Sequence, residues 1–219
     1  PSIIIVDSHI AYGSPNKQDS AGAHGSPLGE DEIRATKENY GWDPDKTFYV
    51  PDEVAKFKED MVVKGAKLEE EWKEKMKAYA EAHPDLAKQF DMMQNCELPE
   101  DWETIIPEFP ADAKGLATRE SSSKILNTIA DKIPWFMGGS ADLGPSTKTY
   151  IKEASSFNKE NYGGRNFHFG VREHAMGAII NGMSLSKLRP YGATFFVFSD
   201  YVRPAIRLSS LMKQPVVYI

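Results

Sequence analysis

A single carboxylate, Glu173, lies where a strand-like run passes into a helical pattern. The aromatic run at residues 166–169 comes just before it. Apolar residues then recur at helical spacing: Ala175, Ala178, Ile179, Gly182 and Met183. An acid at such a junction can be held rigidly beside the positive end of a helix and aim one hydrogen bond at a ligand. The simpler alternative is a first-turn acid that only complements the helix dipole.

Three aromatic residues surround a second strand-to-helix turn at spacings of three. They are Phe195, Phe198 and Tyr201. Side chains of this kind can form the walls of a flat apolar slot for an aromatic ring, with Glu173 bonded to one ring nitrogen. Ordinary core packing explains the same three residues equally well when this segment is taken alone.

Three further residues suit the binding of an anionic or hydroxylated ligand. Arg119 and Ser146 can pair with a cluster of anionic oxygens, because arginine makes charge-assisted and often bidentate contacts with phosphate. His24 lies in a loop of Gly, Ala and Ser residues, where a histidine can face a ligand. The alternatives are a surface salt bridge for Arg119, a turn-capping role for Ser146 and a solvent-exposed loop histidine.

The elements that must position these residues form an α/β pattern in the second half of the chain. Strand-like and helical segments alternate five times from about residue 119, which predicts a parallel sheet with helices on its faces. The pattern places strands at 134–141, at 166, at 191–198 and from 215, with helices between them. Ligands gather at the carboxyl ends of the strands in such sheets. Residues 138–146, 170–173 and 195–201 would all lie at that edge.

The first half of the chain offers fewer chemical signals. Residues 2–6 and 215–219 are β-branched apolar runs that predict buried parallel strands, and we therefore expect a piece of a longer chain. A short helix is predicted at 30–41 and two charged helices over 52–95, separated at Pro84. The first of these two charged helices carries an apolar stripe that predicts core packing: Leu68, Trp72, Met76 and Tyr79. Residues 98–113 are rich in proline and predict an extended linker.

Composition excludes several classes of protein. The 219 residues are 41% hydrophobic and 26% charged, with a net charge of −6 and no basic block, so binding to nucleic acid or to an anionic membrane is not expected. No apolar run approaches the length that spans a membrane. The single cysteine, Cys96, excludes an internal disulfide framework and favours a reducing compartment.

Taken in order, the motifs closely resemble those of the transketolases over essentially the whole chain. Each one alone is weak, but the ordered set is very specific. The matching segments are Gly13-Ser14, Ala23-His24-Gly25-Ser26-Pro27-Leu28, Ala117-Thr118-Arg119, Gly138 to Ser146, Phe169 to Gly177 and Tyr191 to Phe195.

The resemblance implies a cofactor and a reaction. Transketolases use thiamine diphosphate and a divalent metal, Mg²⁺ or Ca²⁺, to move a two-carbon ketol unit between sugar phosphates in the pentose phosphate pathway or the Calvin cycle. By resemblance Glu173 hydrogen-bonds the aminopyrimidine ring and His24 faces cofactor and donor substrate, and both are catalytic. The remaining matched residues are Phe195, Phe198, Tyr201 and Asp142 for the cofactor, and Arg119 and Ser146 for the sugar phosphate.

The resemblance also implies an incomplete site. Residues 1–29 match the end of the diphosphate-binding domain, 30–115 a helical and extended linker, and 116–219 the first part of the pyrimidine-binding domain. The family's metal ligands have no counterpart in this sequence, and the family places its cofactor between two subunits of a homodimer. We therefore expect no turnover from these residues alone and a cytoplasmic location, with a plastid as the alternative. A dihydroxyacetone synthase and a non-catalytic transketolase-like binding protein remain open as alternatives.

Overall fold

The computed structural model describes residues 3–219 and divides the chain into two units, Pro1–Lys73 and Glu74–Ile219. The helices are α1 (Glu30–Asn39), α2 (Asp52–Ala82), α3 (Pro84–Gln94), α4 (Thr118–Lys132), α5 (Gly144–Thr147), α6 (Glu173–Leu185) and α7 (Ser199–Leu211). The strands are β1 (Phe136–Ser140), β2 (Asn166–His168), β3 (Arg189–Ala193) and β4 (Val217–Tyr218). None of the helices within the described residues is long and apolar enough to cross a membrane.

The second unit contains one four-stranded sheet in the order β2-β1-β3-β4, and every neighbouring pair is parallel. Gly138 of β1 is opposite Asn166 of β2 on one side and Tyr191 of β3 on the other. Helices connect the strands along the chain, as parallel pairing requires. The predicted parallel α/β layer is therefore confirmed.

Successive residues of β3 serve opposite faces of this sheet. Tyr191 is fully buried beside Leu126 of α4, stacks on Phe136 at 5.0 Å between ring centroids, and donates a hydrogen bond to the Thr149 carbonyl at 2.7 Å. Gly192 lies under Ile180 of α6 on the other face. This alternation of period two holds a helical layer on each side of the sheet.

The apolar run near the start of the chain is not a strand. Residues 3–6 have no regular structure and are 76–87% exposed, and Ser2 lies outside the described residues. A β-branched run forms a strand only when another strand pairs with it. Within residues 3–73 the structure has no strand to do so.

The predicted packing of the long charged helix is also wrong. The bounds of α2 and α3 agree with the pattern, and Pro84 begins the second helix as expected. However, Leu68 and Trp72 are 55% and 54% exposed, and no residue of α2 is buried among the described residues. An amphipathic stripe predicts that a helix has an apolar face, but it does not say what covers that face.

Two strands are shorter than their apolar runs. The run at 191–198 forms β3 only up to Ala193, because Phe196–Phe198 turn into a short 3-10 segment. The final run pairs only at β4, and Val217 there is 39% exposed, because β4 is the edge strand. The prediction that this strand is buried is therefore wrong.

Helix α6 buries a different face from the one its most regular apolar pattern suggested. Ile179 is 48% exposed, whereas Met176 and Ile180 are fully buried against the sheet. Gly177 faces α7 so closely that an added Cβ would lie 2.6 Å from the Cβ of Ala205. The small residue therefore belongs to the packed face, although it carries no apolar side chain.

Candidate functional site

The carboxyl ends of the strands bring three of the predicted motifs to one edge of the sheet. Asp142 follows β1, Gly170 follows β2 and Thr194 follows β3. Asp142 and Gly170 both have left-handed backbones, with φ of 62° and 70°. Glycine adopts this conformation without strain, and aspartate tolerates it better than most residues. These turns direct the chain from the sheet into α5 and α6.

Glu173 is the first residue of α6, directly after Arg172 at the N-cap. Its side chain is buried, with only 8% of the residue exposed. No hydrogen bond or ion pair reaches its carboxylate from residues 3–219. The carboxylate oxygens are not among the fully buried polar atoms that lack a partner, and the side chain lines a cleft. The arrangement is therefore suited to a ligand that supplies the missing hydrogen bond.

A cleft of about 580 Å³ opens above Glu173. Its lining residues come from the turn after β1, the start of α6 and the start of α7, and they include Asp142, Phe198 and Tyr201. The rings of Phe198 and Tyr201 lie 6.5 Å apart with a tilt of 31°. The structure therefore brings four of the predicted residues together, with an aromatic wall on one side of a buried acid.

A second cleft of about 470 Å³ contains the other predicted residues of this unit. Arg119 from the first turn of α4 and Ser146 from α5 both line it, together with Phe195. Phe195 is thus separated from the other two aromatic residues, because the 3-10 turn at Phe196–Phe198 carries the chain from one cleft to the other. The sequence places all three rings around one slot, whereas the structure places Phe195 in a different cleft from Phe198 and Tyr201.

The simpler interpretations of Arg119 and Ser146 gain no support here. Glu120, the residue after Arg119, forms an ion pair with Lys148. No carboxylate of residues 3–219 pairs with Arg119 itself. The turn after β1 is capped by Ser140, whose Oγ accepts a hydrogen bond from the Leu143 amide at 3.0 Å. Both the guanidinium and the Ser146 hydroxyl thus remain available to an anion.

Thr194 is a lining residue that the sequence analysis did not single out. Its hydroxyl oxygen is buried and has no hydrogen-bond partner among the described residues, and the residue lines the same cleft as Arg119. A buried hydroxyl is normally paired. The sequence feature that could have identified Thr194 is its position directly after β3, within a matched motif, at the edge of the sheet where ligands gather.

His24 belongs to the first unit, where it ends the 3-10 turn Ala21–Ala23 and is exposed. The segment around it is closed by a hydrogen bond from Lys17 Nζ to the Leu28 carbonyl at 2.7 Å. Glu32 of α1 is 7% exposed and receives hydrogen bonds from the Ser14 hydroxyl and from both nitrogens of Asn16. These bonds fix the start of the segment to α1.

The Glu32 carboxylate should titrate far below the usual range. The hydrogen bonds from Ser14 and then Asn16 lower its pKa from 4.5 to about 2. Because the folded-state pKa is lowered, the carboxylate stabilises the folded unit above pH 4.5, and this stabilisation is lost as the pH falls through about 2. An NMR titration of the Glu32 carboxyl carbon is expected to show that midpoint, and Ser14→Ala should raise it. A midpoint near 4.5 in the unmodified chain would contradict the hydrogen-bond arrangement.

Metal binding finds no support in the described part of the chain. No group of three or more His, Cys, Asp or Glu side chains in residues 3–219 could hold a metal ion.

The parallel α/β layer, with a buried acid and an aromatic wall at its carboxyl edge, is of the thiamine diphosphate-binding class. Residues 1–99 match the family model of the transketolase thiamine diphosphate binding domain, and residues 114–219 match that of the transketolase pyrimidine binding domain. The chain belongs to the transketolase family.

Individual relatives agree with this assignment. The chain is 49% identical to the transketolase of Halalkalibacterium halodurans over 220 residues and 50% identical to that of Geobacillus stearothermophilus over 221 residues. Among solved structures, a Pichia stipitis transketolase in complex with sedoheptulose 7-phosphate matches 96% of the chain at 37% identity, with a TM-score of 0.84. The alignments with the two curated relatives cover all of this chain but only 33% of each relative. The structural match covers 32% of the Pichia chain.

Proposed function

We propose that this chain is part of a transketolase, which transfers a two-carbon ketol unit from a ketose phosphate to an aldose phosphate. The observation that carries the proposal is the unpaired carboxylate of Glu173, a residue that is 8% exposed and lines the first cleft with Phe198 and Tyr201. The similarity to transketolases over the full chain supports the same reaction. Because the chain spans a third of those relatives, turnover requires polypeptide beyond these 219 residues.

The first cleft fits the aminopyrimidine half of thiamine diphosphate. Its aromatic wall of Phe198 and Tyr201 suits a flat heterocycle, and its volume of about 580 Å³ is within the usual range for small-molecule sites. When bound, the cofactor supplies the electron sink for cleavage of the ketose. The Glu173 carboxyl group would hydrogen-bond the aminopyrimidine ring and exchange a proton with it. Asp142 lines the same cleft.

The second cleft fits the phosphate of a sugar substrate. Arg119 offers a planar fork of donors, Ser146 adds a hydroxyl, and neither is engaged by another side chain among the described residues. Phe195 lines this cleft, whereas Phe198 lines the first one. His24 in the first unit serves the same reaction by binding substrate hydroxyls or by proton transfer.

The remaining parts of the proposal concern the assembly and its setting. A bound diphosphate would be held through Mg²⁺ or Ca²⁺ by ligands outside this sequence, and two copies of the whole protein would share each cofactor. A single cysteine and a net charge of −6 are in keeping with a cytoplasmic enzyme of sugar metabolism.

Two preparations test the proposed function. The full-length protein that contains this chain is expected to convert xylulose 5-phosphate and ribose 5-phosphate when thiamine diphosphate and Mg²⁺ are supplied. The 219-residue chain alone is expected to show no turnover under the same conditions. Failure of the full-length protein would overturn the reaction, and turnover by the short chain would overturn the claim that the site is incomplete.

Replacing Arg119 should separate phosphorylated from unphosphorylated substrates. In the full-length protein, Arg119→Ala is expected to lower kcat/KM for phosphorylated sugars by roughly 10- to 100-fold, because charge-assisted hydrogen bonds are worth about 1.5–3 kcal/mol. Unphosphorylated acceptors should change by less than about threefold. Lys132→Ala, an exposed cation at the other end of α4, is the matched control. Equal losses on both kinds of acceptor would contradict a phosphate contact.

A further inference from the structure

The segment that carries His24 is a closed loop at its base. Lys17 Nζ bonds to the Leu28 carbonyl at 2.7 Å, so residues 17–28 leave and return at neighbouring points. Leu28 lies two residues before α1 begins, and Asn16 lies one residue before Lys17. Compact loops whose ends meet are held by their own side chains and often carry functional residues.

One acid of α1 holds the start of this loop. Both carboxylate oxygens of Glu32 accept hydrogen bonds. Oε1 accepts from the Ser14 hydroxyl and from the Asn16 backbone N–H at 2.9 Å, and Oε2 accepts from the Asn16 side-chain Nδ2 at 2.9 Å. Ser14 is 2% exposed and Glu32 is 7% exposed, so water has little access to the bond between them, whereas Asn16, the donor of the other two bonds, is exposed. Because these donors bond the charged form, they lower the pKa of Glu32.

The end of the same helix also holds the chain just before Ser14. Asn39 Nδ2 donates to the Gly13 carbonyl at 2.8 Å, and Tyr40 directly after α1 donates to the Tyr12 carbonyl. Gly13 has a left-handed backbone with φ of 81°. These contacts act on the chain before Ser14, whereas Glu32 holds Ser14 and Asn16, the residues that lead into the loop.

We infer that Glu32 is a positioning residue: its carboxylate clamps Ser14 and Asn16 to α1 and thereby fixes the loop that presents His24. The inference rests on the role of His24 in the proposed function. It assigns Glu32 no contact with substrate or cofactor. A loop that is released at its base moves its histidine, and a displacement of about 1 Å can cost ~10²-fold in rate.

Amide hydrogen exchange of the full-length protein tests the clamp without any need for turnover. In Glu32→Ala, residues 14–24 are expected to exchange at least about tenfold faster, while residues 30–39 of α1 keep their protection. Glu32→Gln should lie between Glu32→Ala and the unmodified protein, because its amide oxygen can still accept from Ser14 and the Asn16 backbone N–H, whereas its amide nitrogen cannot accept from Asn16 Nδ2. Glu38→Ala, an exposed acid of the same helix, is the matched control. Unchanged exchange at 14–24 in Glu32→Ala, or equal loss of protection across α1, would overturn the inference.

Steady-state kinetics of the full-length protein test the link to His24. Glu32→Ala is expected to lower kcat/KM for the ketose donor by roughly 10- to 100-fold, and the same change in a His24→Ala background should cost less than about threefold. Losses that multiply would show that Glu32 does not act through His24 and would overturn the positioning role. If the unmodified full-length protein has no transketolase activity, the proposed function fails, and the exchange experiment still decides whether Glu32 holds the loop.

Discussion

Glu173→Gln in the full-length protein is expected to lower kcat by about 10³-fold while the protein still folds. Glutamine has nearly the same volume and can still accept a hydrogen bond, but it cannot take up or release a proton at that position. General acid–base groups contribute ~10²–10⁴-fold to rates. The measurement is kcat at saturating thiamine diphosphate and sugar phosphates, and Glu173→Ala should be at least as slow.

The competing explanation for Glu173 makes a different prediction. A first-turn acid that only complements the dipole of α6 is worth about 0.3–1 kcal/mol of stability and has no reason to affect the rate. Glu160→Gln, an exposed acid in the loop before β2, is the matched control and should leave kcat unchanged. Normal turnover by Glu173→Gln would contradict the assignment of Glu173. A small loss of stability without a loss of rate would favour the dipole role.

Asn166→Ala is expected to destabilise the second unit by about 3 kcal/mol. The Asn166 side chain is buried at 5% exposure, accepts from the Ile151 amide at 2.9 Å, and donates to the carbonyls of Ile151 at 2.9 Å and Ala154 at 2.7 Å. Alanine would leave these buried backbone groups without partners, at about 1–3 kcal/mol each before relaxation. The loop before β2 would then be held to that strand by backbone hydrogen bonds such as that from Phe157 N–H to the Asn166 carbonyl at 2.9 Å, without the side-chain network.

Amide exchange of residues 136–140 measures this effect, because they form the central strand β1. A loss of about 3 kcal/mol corresponds to ~10²-fold faster exchange when it proceeds through global opening of the unit. Asn95→Ala, at an exposed position after α3, should change the stability by less than ~0.5 kcal/mol. Equal exchange rates in Asn166→Ala and the unmodified chain would show that the asparagine network is not needed for stability.

The parts of the fold that sequence predicts are those set by local signals. The alternation of strand and helix after residue 118 predicts the parallel sheet, because apolar runs of this length bounded by glycine and proline have few other solutions. Pro84 marks the boundary between α2 and α3, since proline at the first turn costs a helix nothing. The position of Glu173 at the start of α6 follows from the same kind of signal.

The features of the fold that the sequence does not predict depend on which other element packs against a residue. The stripe that includes Leu68 and Trp72 has the right period but is exposed along α2. The packed face of α6 is set by Gly192 and by the close approach of α7 at Gly177, neither of which an apolar pattern records. Spacing alone groups Phe195 with Phe198, but the 3-10 turn between them places the two rings in different clefts.

The most direct test of the account is a crystal structure of the full-length protein with thiamine diphosphate. We predict that a Glu173 carboxylate oxygen lies about 2.6–3.2 Å from a nitrogen of the aminopyrimidine, with Phe198 and Tyr201 beside the ring. An aminopyrimidine bound away from this cleft, or a Glu173 carboxylate that turns from the ring toward solvent, would contradict the account.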